Sequence, residues 1–349
     1  MHLRVSILDQ SPIATGSDAS TAFARTTAVA KLADDLGYHR FWVSEHHDTP
    51  RLAGSSPEVL IAHLAANTKR IRVGSGGVML PHYSAYKVAE NFRVLEALYP
   101  QRIDLGLGRA PGGMPRARMA LQEGRQPADY ALQVADLTAY LTDTLPAQHR
   151  FAGLTATPVV QTAPPLWLLG SSDWSAHLAA VQGTAFMYAH FINGEGGVEA
   201  VNDYYARFEP SVLRAQPQAG VAVFVVCADT DNEADLIAKS LDLALVMLAN
   251  GQVGAGTPTI EEALAYPYGR YELLLVRENR KRMVVGDPTS VRQQLEALAA
   301  AYNVEEVMTV TSTARFEDRM HSHELVAKSF NLNQTVPAPN PLQQEQSVE

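Results

Sequence analysis

The sequence predicts an α/β protein built as a closed (β/α)8 barrel, the TIM barrel, with an insertion between its seventh and eighth strands. Short apolar runs alternate eight times with stretches of helical periodicity, and strands separated by helices pair in parallel. The 349 residues suffice for one such domain. The alternative is a doubly wound open sheet, but the first turn, Asp9-Gln10-Ser11-Pro12, lacks the G-x-G-x-x-G pattern typical of that fold.

Each element has its own signal in the chain. The apolar runs predict eight strands at residues 3–8, 40–44, 71–79, 102–107, 166–169, 185–190, 221–227 and 305–311. Helical spacing predicts helices at residues 19–36, 57–67, 85–98, 128–143, 174–182, 199–208, 232–248 and 317–330. Gly37 ends the first helix as a C-terminal glycine cap, and Pro57 begins the second behind Ser56 as N-cap.

Three segments depart from the repeating pattern. Residues 151–161 predict a small hairpin insertion. Residues 250–282 combine several glycines and prolines with a charged run, and indicate either a lid over the barrel mouth or a disordered insert. The polar tail at 331–349 is predicted to be disordered. We therefore expect a single domain over residues 1–330, with the insertion at 250–282 predicted as its lid.

Composition excludes several classes of function. The net charge is −9 without a basic run, so a nucleic-acid partner is not expected. No apolar stretch reaches the ~18 residues of a membrane helix, and the N-terminus lacks the pattern of a secretory signal, so a cytoplasmic enzyme is expected. Cys227 is the only cysteine and cannot form an internal disulfide; it is predicted to be a small buried hydrophobe.

The most informative motif is Ser44-Glu45-His46-His47, which follows the second predicted strand. In α/β proteins ligands bind where strands end in loops, so the motif indicates one wall of a catalytic pocket. A metal site is the competing interpretation. No H-x-H or H-E-x-x-H spacing accompanies the two histidines, so a metal is not expected.

Other strand ends also carry glycines or polar side chains. The third strand ends in Gly74-Ser75-Gly76-Gly77, where a flat ligand could approach the backbone closely. Tight packing of helix on strand would also explain these glycines. Arg109 follows the fourth strand and could hold a phosphate, although a surface salt bridge is equally compatible with it.

The fifth strand runs into Gly170-Ser171-Ser172 and then a helix that contains Ser175. Hydroxyls and free N–H groups at a helix N-terminus form a ready anion site, although capping of the helix would use the same residues. His190 ends the sixth strand. Because all these strand ends meet at one rim of a barrel, we expect a ligand with a flat body and a phosphate tail next to a histidine.

These motifs together closely resemble those of the bacterial luciferase-like flavin monooxygenases. The resemblance extends from residue 3 to about residue 330. It is carried by the motifs around His46, Gly76-Gly77, Arg109 and Ser172, and by Gly286-Asp287-Pro288 and Ser322-His323-Glu324-Leu325 near the end.

The resemblance implies a barrel that binds reduced FMN at its carboxyl rim, with FMN supplied by a separate flavin reductase. It implies that O2 adds at the flavin C4a atom, and that the resulting peroxyflavin oxidises a small organic substrate such as an aldehyde or another carbonyl compound. The catalytic histidine of the family falls on His46. Glu45 is predicted to share in catalysis by orienting His46 or by pairing with a nearby cation, and His47 is predicted to give structural support. The phosphate contacts of the family fall on Arg109, Ser172 and Ser175, with Tyr130 as a further candidate. Together with the strand-end residues, the predicted cofactor contacts are Ser75, Gly76, Gly77, Arg109, Tyr130, Ser171, Ser172, Ser175 and His190. An often cis peptide falls near Gly76-Gly77, and a homodimer is expected.

One position departs from the family pattern. Bacterial luciferase carries a reactive cysteine on the fourth strand, and this chain has Gly108 there, so light emission is not implied. Two other functions remain open. One is a deazaflavin-dependent hydride transfer on the same barrel, which would need no oxygen. The other is a non-catalytic FMN-binding protein, which would bind FMN without forming an oxidised product.

Overall fold

A computed structural model describes residues 3–334 except 111, 114, 124–128, 253 and 255. Its centre is a closed barrel of eight parallel strands, because the last barrel strand pairs with both the first and the seventh. The closed ladder confirms the predicted barrel and excludes the open sheet. The strands, in barrel order, are β1 (Arg4–Asp9), β2 (Arg40–Val43), β3 (Arg72–Ser75), β5 (Ile103–Gly108), β6 (Leu166–Gly170), β7 (Ala185–Ala189), β8 (Ala219–Cys227) and β10 (Glu306–Val310).

Two further short strands join the sheet, and the sequence did not predict them as separate strands. The predicted third strand breaks at Gly76, so that β4 (Val78–Met79) leaves β3 and pairs with β5 alone. β9 (Met283–Gly286) pairs with the carboxyl half of β8, starting opposite Phe224. β7 has ended opposite Ala222, so β9 occupies the edge of β8 that β7 leaves open.

All the helices but the last lie between successive strands, as parallel pairing requires, and the last follows the final strand. They are α1 (Ala19–Leu36), α2 (Pro57–Ala66), α3 (Ala85–Leu98), α4 (Pro115–Leu121), α5 (Tyr130–Thr142), α6 (Asp173–Val181), α7 (Gly197–Arg207), α8 (Asp231–Ala249), α9 (Ile260–Ala265), α10 (Arg270–Arg280), α11 (Pro288–Tyr302) and α12 (Phe316–Phe330), with 3-10 turns at Leu80–His82 and Leu332–Gln334. Gly37 ends α1 at φ 83°, as a C-cap does. Ser56 is the N-cap residue of α2, but its side chain makes no capping hydrogen bond.

The segment at 151–161 is not the predicted hairpin. Its residues form turns and bends, and none of them pairs in a strand. Most of the side chains there are exposed, so no apolar face is available that a second strand could bury. The predicted tail falls largely on residues 335–349, which lie outside the described residues.

The insertion between the seventh and eighth barrel strands is helical in two places, α9 and α10. Arg280 of α10 forms an ion pair with Asp242 of α8 at 2.7 Å. The insertion also reaches the rim: the Thr257 backbone N–H donates to Ile13 O at 3.0 Å, and Arg282 Nη1 donates to Phe191 O at 2.8 Å. Its action as a lid stays a prediction.

The buried core has two layers. The outer layer lies between the strands and the surrounding helices. The inner cluster fills the barrel, and its members include Leu8, Trp42, Trp167, Met187, Phe224 and Met308. Trp42 and Trp167 meet edge to face, with ring centroids 5.4 Å apart. No helix among the described residues has the length and the apolar character needed to cross a membrane.

Candidate functional site

A cavity of ≈ 290 Å³ opens at the carboxyl rim of the barrel. One part of its wall is apolar, and the residues there are Leu8, Trp42, Met79, Leu169, Met187, Phe191, Ile192, Ala222 and Met308. The other part carries Arg109 and the serines that follow β6. The cavity therefore has a body that suits a flat apolar group and one polar end that suits an anion.

Three serines and an arginine form this anion-binding end. Ser172 is the N-cap residue of α6, yet its side chain makes no capping hydrogen bond, so the helix does not use that hydroxyl. Instead Ser172 Oγ lies 3.1 Å from Ser175 Oγ. A Cβ atom at Gly170 would lie 2.3 Å from Ser175 Oγ, so only glycine there lets Ser175 approach the end of β6. The hydroxyls, the helix N-terminus and Arg109 can together hold a phosphate group.

Two glycines form another part of the cavity wall. The peptide bond between Gly76 and Gly77 is cis, as the resemblance implies. A Cβ atom at Gly76 would lie 2.6 Å from Leu8 Cδ1, and one at Gly77 would lie 2.6 Å from Gly106 O. The backbone is thus exposed to the cavity where side chains would not fit, which allows close approach of a flat ligand.

Six of the nine predicted cofactor contacts line this cavity, and three do not. Ser75 is fully buried; its Oγ donates to Gly106 O at 2.8 Å and accepts from Gly106 N at 2.9 Å, so it joins β3 to β5. His190 turns away from the cavity, and its Nδ1 lies 2.8 Å from Tyr302 Oη. Burial lowers the pKa of His190. Neighbouring side chains alternate between the two faces of a strand, which explains why the Ser75 side chain does not face the cavity.

The third of these residues, Tyr130, does not line the cavity but lies close behind its polar end. Its ring centroid is 6.1 Å from that of Trp174, which in turn contacts Arg109. Burial raises the pKa of the Tyr130 hydroxyl, so this group stays neutral. Tyr130 can therefore support the polar end without contacting the ligand itself.

Glu45 forms the centre of the loop that follows β2. Its carboxylate is fully buried, and its Oε1 accepts from Tyr83 Oη at 2.7 Å and lies 2.7 Å from His47 Nε2. The Met79 N–H donates to Glu45 Oε2 at 2.9 Å. These hydrogen bonds link Glu45 to His47 and not to His46, so Glu45 fixes the loop and the second histidine. In an extended chain, residues 45 and 47 share one face, and residue 46 lies on the other.

His46 has different surroundings from its neighbour. Its Nδ1 lies 3.1 Å from Ser44 Oγ, so the serine and not Glu45 is its orienting partner. His46 lines a second, more open cavity, of ≈ 520 Å³, that also has Asp48, Thr49 and Ser55 in its wall. Burial, and then the neighbouring His47, lower the pKa of His46 to about 4. The imidazole is therefore neutral at neutral pH, and its Nε2 has no hydrogen-bond partner among the described residues.

This lowered pKa predicts how stability changes with pH. Between pH ~6.5 and ~4 an unfolded His46 binds a proton that the folded one does not, so its contribution to the free energy of unfolding decreases as the pH falls through that window. We expect His46→Asn to lose less stability than the parent chain between pH 7 and 4, as measured by urea unfolding at each pH. His177→Asn, on the exposed side of α6, is the control. Equal pH dependence in the parent and His46→Asn would contradict a buried neutral imidazole.

Sequence reasoning missed two residues of the site. One is Trp174: the guanidinium of Arg109 lies above its ring, with Cζ 3.9 Å from the ring centroid. An aromatic residue in the first turn of the helix that contains the serines was the available signal. Tyr83 binds Glu45 across 38 positions of sequence, and no local pattern indicates that contact. In the part of the chain that the structure describes, no group of three or more His, Cys, Asp or Glu side chains could hold a metal ion.

Comparison with known proteins finds a family model and several relatives that match most of the chain. A family model described as luciferase-like monooxygenase matches residues 1–303. The Bacillus subtilis (strain 168) protein named "Uncharacterized protein YwcH" is 56% identical over 93% of this chain and 98% of that protein. The N-acetyl-S-alkylcysteine monooxygenase of the same organism is 38% identical over 93% of this chain and 97% of its own length. A luciferase-like monooxygenase of Escherichia coli (strain K12) is 36% identical over 92% and 95%.

Solved structures share the fold. The crystal structure of apo-MsnO8 matches with a TM-score of 0.88 and 38% identity, over 97% of this chain and 99% of that chain. The oxygenating constituent of 3,6-diketocamphane monooxygenase of Pseudomonas putida, in complex with FMN, matches with a TM-score of 0.70 and 20% identity, over 97% and 100%. An F420-dependent secondary alcohol dehydrogenase matches with a TM-score of 0.65 and 14% identity, over 95% and 99%. The last two likenesses, at such low identity, concern the fold alone.

Proposed function

Because the chain belongs to the luciferase-like monooxygenase family, we propose that it is a flavin-dependent monooxygenase that uses reduced FMN and O2 to oxidise a small organic substrate. The observation that carries the proposal is the cavity at the barrel rim, with an apolar body and one anion-binding end. FMN has a flat ring system and a phosphate ester at the end of its ribityl chain, so its chemistry fits both parts.

Different residues of the cavity bind the ring system and the phosphate of FMN. Gly76 and Gly77 leave room for the flat ring, and the apolar wall that includes Trp42 and Met187 excludes water from it. Arg109, Ser172 and Ser175 hold the phosphate. Reduced FMN, when bound, supplies the activation of molecular oxygen. We propose that a separate flavin reductase supplies the cofactor in reduced form, and that the chain assembles as a homodimer.

His46 is the residue that we propose to act on the substrate. Its neutral imidazole, oriented by Ser44, offers Nε2 as the atom that holds or moves a proton. The second cavity, in whose wall His46 lies, gives the organic substrate a way to reach that atom. Glu45 and His47 keep the loop in place through Tyr83 and the Met79 N–H.

As the first substrate class we propose an aldehyde or another carbonyl compound. The relative named for N-acetyl-S-alkylcysteine supports a thioether as a second substrate class. The test supplies reduced FMN and 18O2 to the purified chain with a panel of aldehydes, ketones and N-acetyl-S-alkylcysteines. Mass spectrometry should find one 18O atom in the product of one class. Turnover without oxygen that requires a deazaflavin would contradict the proposal, and so would tight FMN binding without any labelled product.

The phosphate site gives a direct binding prediction. We expect Arg109→Gln to weaken FMN binding about ten- to hundredfold, because a charge-assisted hydrogen bond to the phosphate is lost. Binding of riboflavin, which has no phosphate, should be nearly unchanged. Isothermal titration of both flavins measures the difference, with Arg207→Gln, at the C-terminal end of α7, as the control. An equal loss for FMN and riboflavin would mean that Arg109 does not bind the phosphate.

A further inference from the structure

Arg109 has an unusual set of contacts for a residue that must hold a ligand. It follows β5 directly and its side chain is exposed. With the described residues it makes no hydrogen bond and no ion pair. Its guanidinium lies over the ring of Trp174, with Cζ 3.9 Å from the ring centroid. A free arginine side chain has many rotamers, so this stack is what orders the guanidinium in the structure.

We propose that Trp174 is a positioning residue for the phosphate of the bound flavin. Its ring holds the guanidinium of Arg109 beside the Ser172–Ser175 hydroxyl pair, so that the donors of the planar fork face the phosphate oxygens. The inference rests on the proposed function, since it requires that Arg109 binds the flavin phosphate. It adds a residue to that site which does not line the cavity and therefore acts through Arg109.

The position of Trp174 on its helix supports this role. Trp174 is the second residue of α6, in the same first turn whose N-cap is Ser172. The helix that presents its N-terminus and two hydroxyls to the anion therefore also fixes the aromatic ring under the arginine. Trp174 and the two serines therefore belong to one rigid element, so the ring that contacts Arg109 keeps a fixed place relative to the hydroxyls.

A second aromatic ring supports the first. Tyr130, the first residue of α5, lies against Trp174 with a tilt of 42° between the rings. Two helices that are separate in sequence thus meet at the Trp174 ring. Trp174 itself is 43% exposed and is not part of the hydrophobic core clusters, so packing of the fold does not explain why a tryptophan stands there.

The test compares two flavins on three variants of Trp174. Leu keeps apolar bulk without a π face, Phe keeps a π face, and Ala removes both. The readout is the ratio of the dissociation constant of riboflavin to that of FMN, because only FMN has the phosphate. We expect Trp174→Leu and Trp174→Ala to lower the ratio by about three- to tenfold and Trp174→Phe to keep it within about twofold of the parent value. Riboflavin affinity should stay constant in all three.

The matched reference is Arg109→Gln, alone and combined with Trp174→Leu. If Trp174 acts through Arg109, adding Trp174→Leu to Arg109→Gln lowers the ratio no further. A normal ratio in Trp174→Leu beside a lowered ratio in Arg109→Gln would overturn this inference and leave the proposed function standing. An unchanged ratio in Arg109→Gln would overturn the proposed phosphate site and the inference with it. Equal weakening of both flavins in Trp174→Leu would show a packing role and also overturn the inference.

Discussion

Replacement of His46 by Asn is expected to lower turnover by about 10²- to 10⁴-fold, the range that a single acid–base group contributes. The physical reason is that His46 offers a neutral imidazole nitrogen at neutral pH, because burial and the neighbouring His47 lower its pKa to about 4. The asparagine amide is neither an acid nor a base near neutral pH, so it cannot replace the imidazole in a proton transfer. The loss should appear in kcat for the substrate that gives labelled product, with FMN binding unchanged, since His46 does not line the flavin cavity.

Two variants serve to define the role of His46. Ser44→Ala removes the hydroxyl that lies 3.1 Å from His46 Nδ1, so it should give a smaller loss of kcat in the same direction. His177→Asn, exposed on α6, should leave kcat unchanged. Wild-type kcat in His46→Asn, with normal binding of FMN, would remove His46 from the mechanism. The histidine would then be a structural part of the loop after β2.

Replacement of Arg40 by Met is expected to lower the free energy of unfolding by about 3–5 kcal/mol, the typical cost of leaving a buried charge without its partner. Arg40 is 3% exposed, at the start of β2 inside the barrel. Its Nη1 lies 2.7 Å from Asp104 Oδ2 and its Nε lies 2.7 Å from Glu306 Oε1. Burial opposes ionisation of both carboxyl groups, but Arg40 holds the pKa of each below its ordinary value.

The same network connects stability to the cavity. Asp104 Oδ2 accepts from Trp42 Nε1 at 3.1 Å, and the Trp42 ring lines the cavity. Arg40 also lies over the Trp167 ring, with its Cζ 4.7 Å from the centroid. Arg40→Met should therefore weaken FMN binding as well as the fold, because the floor of the cavity loses its fixed orientation.

The control for Arg40 is Arg207→Met, which breaks an exposed ion pair with Asp203 on α7. Such a solvent-exposed pair contributes very little to stability, so the midpoint of urea unfolding should hardly move. Because the carboxyl pKa values are lowered in the folded state, the contribution of the network is present above about pH 4–5 and is lost as the pH falls below it. A stability of Arg40→Met within 1 kcal/mol of Arg207→Met at pH 7 would contradict a network of this strength.

The architecture could be predicted well because its signals are local. Apolar runs separated by helical periodicity specify strands and helices within windows of a few residues, and parallel pairing follows from the crossovers. The hairpin predicted at 151–161 was wrong, because turn residues alone do not show whether a strand beside them can bury an apolar face. The strand β9 was not predicted because it follows a charged helix. Its partner is the part of β8 beyond the end of β7, and that free edge is known only once the barrel is assembled.

The clustering of the site could also be predicted from the sequence. Strand ends that carry Gly76, Arg109 and Ser172 must meet at one rim, because the carboxyl ends of parallel barrel strands lie together. The prediction of an anion-binding end depended on residue types alone, hydroxyls and an arginine beside a helix N-terminus, and these residues do line one cavity.

The sequence by itself therefore determined the barrel, its rim and the chemical character of the cavity. The tertiary structure alone decided which cavity each side chain faces: that His46 lines a second cavity, that Ser75 joins two strands, and that Trp174 lies under Arg109. The physical reason is that secondary structure follows from neighbours in the chain. The direction and partners of a side chain follow instead from contacts across tens of residues, such as that of Tyr83 with Glu45, and these exist only once the loops are folded.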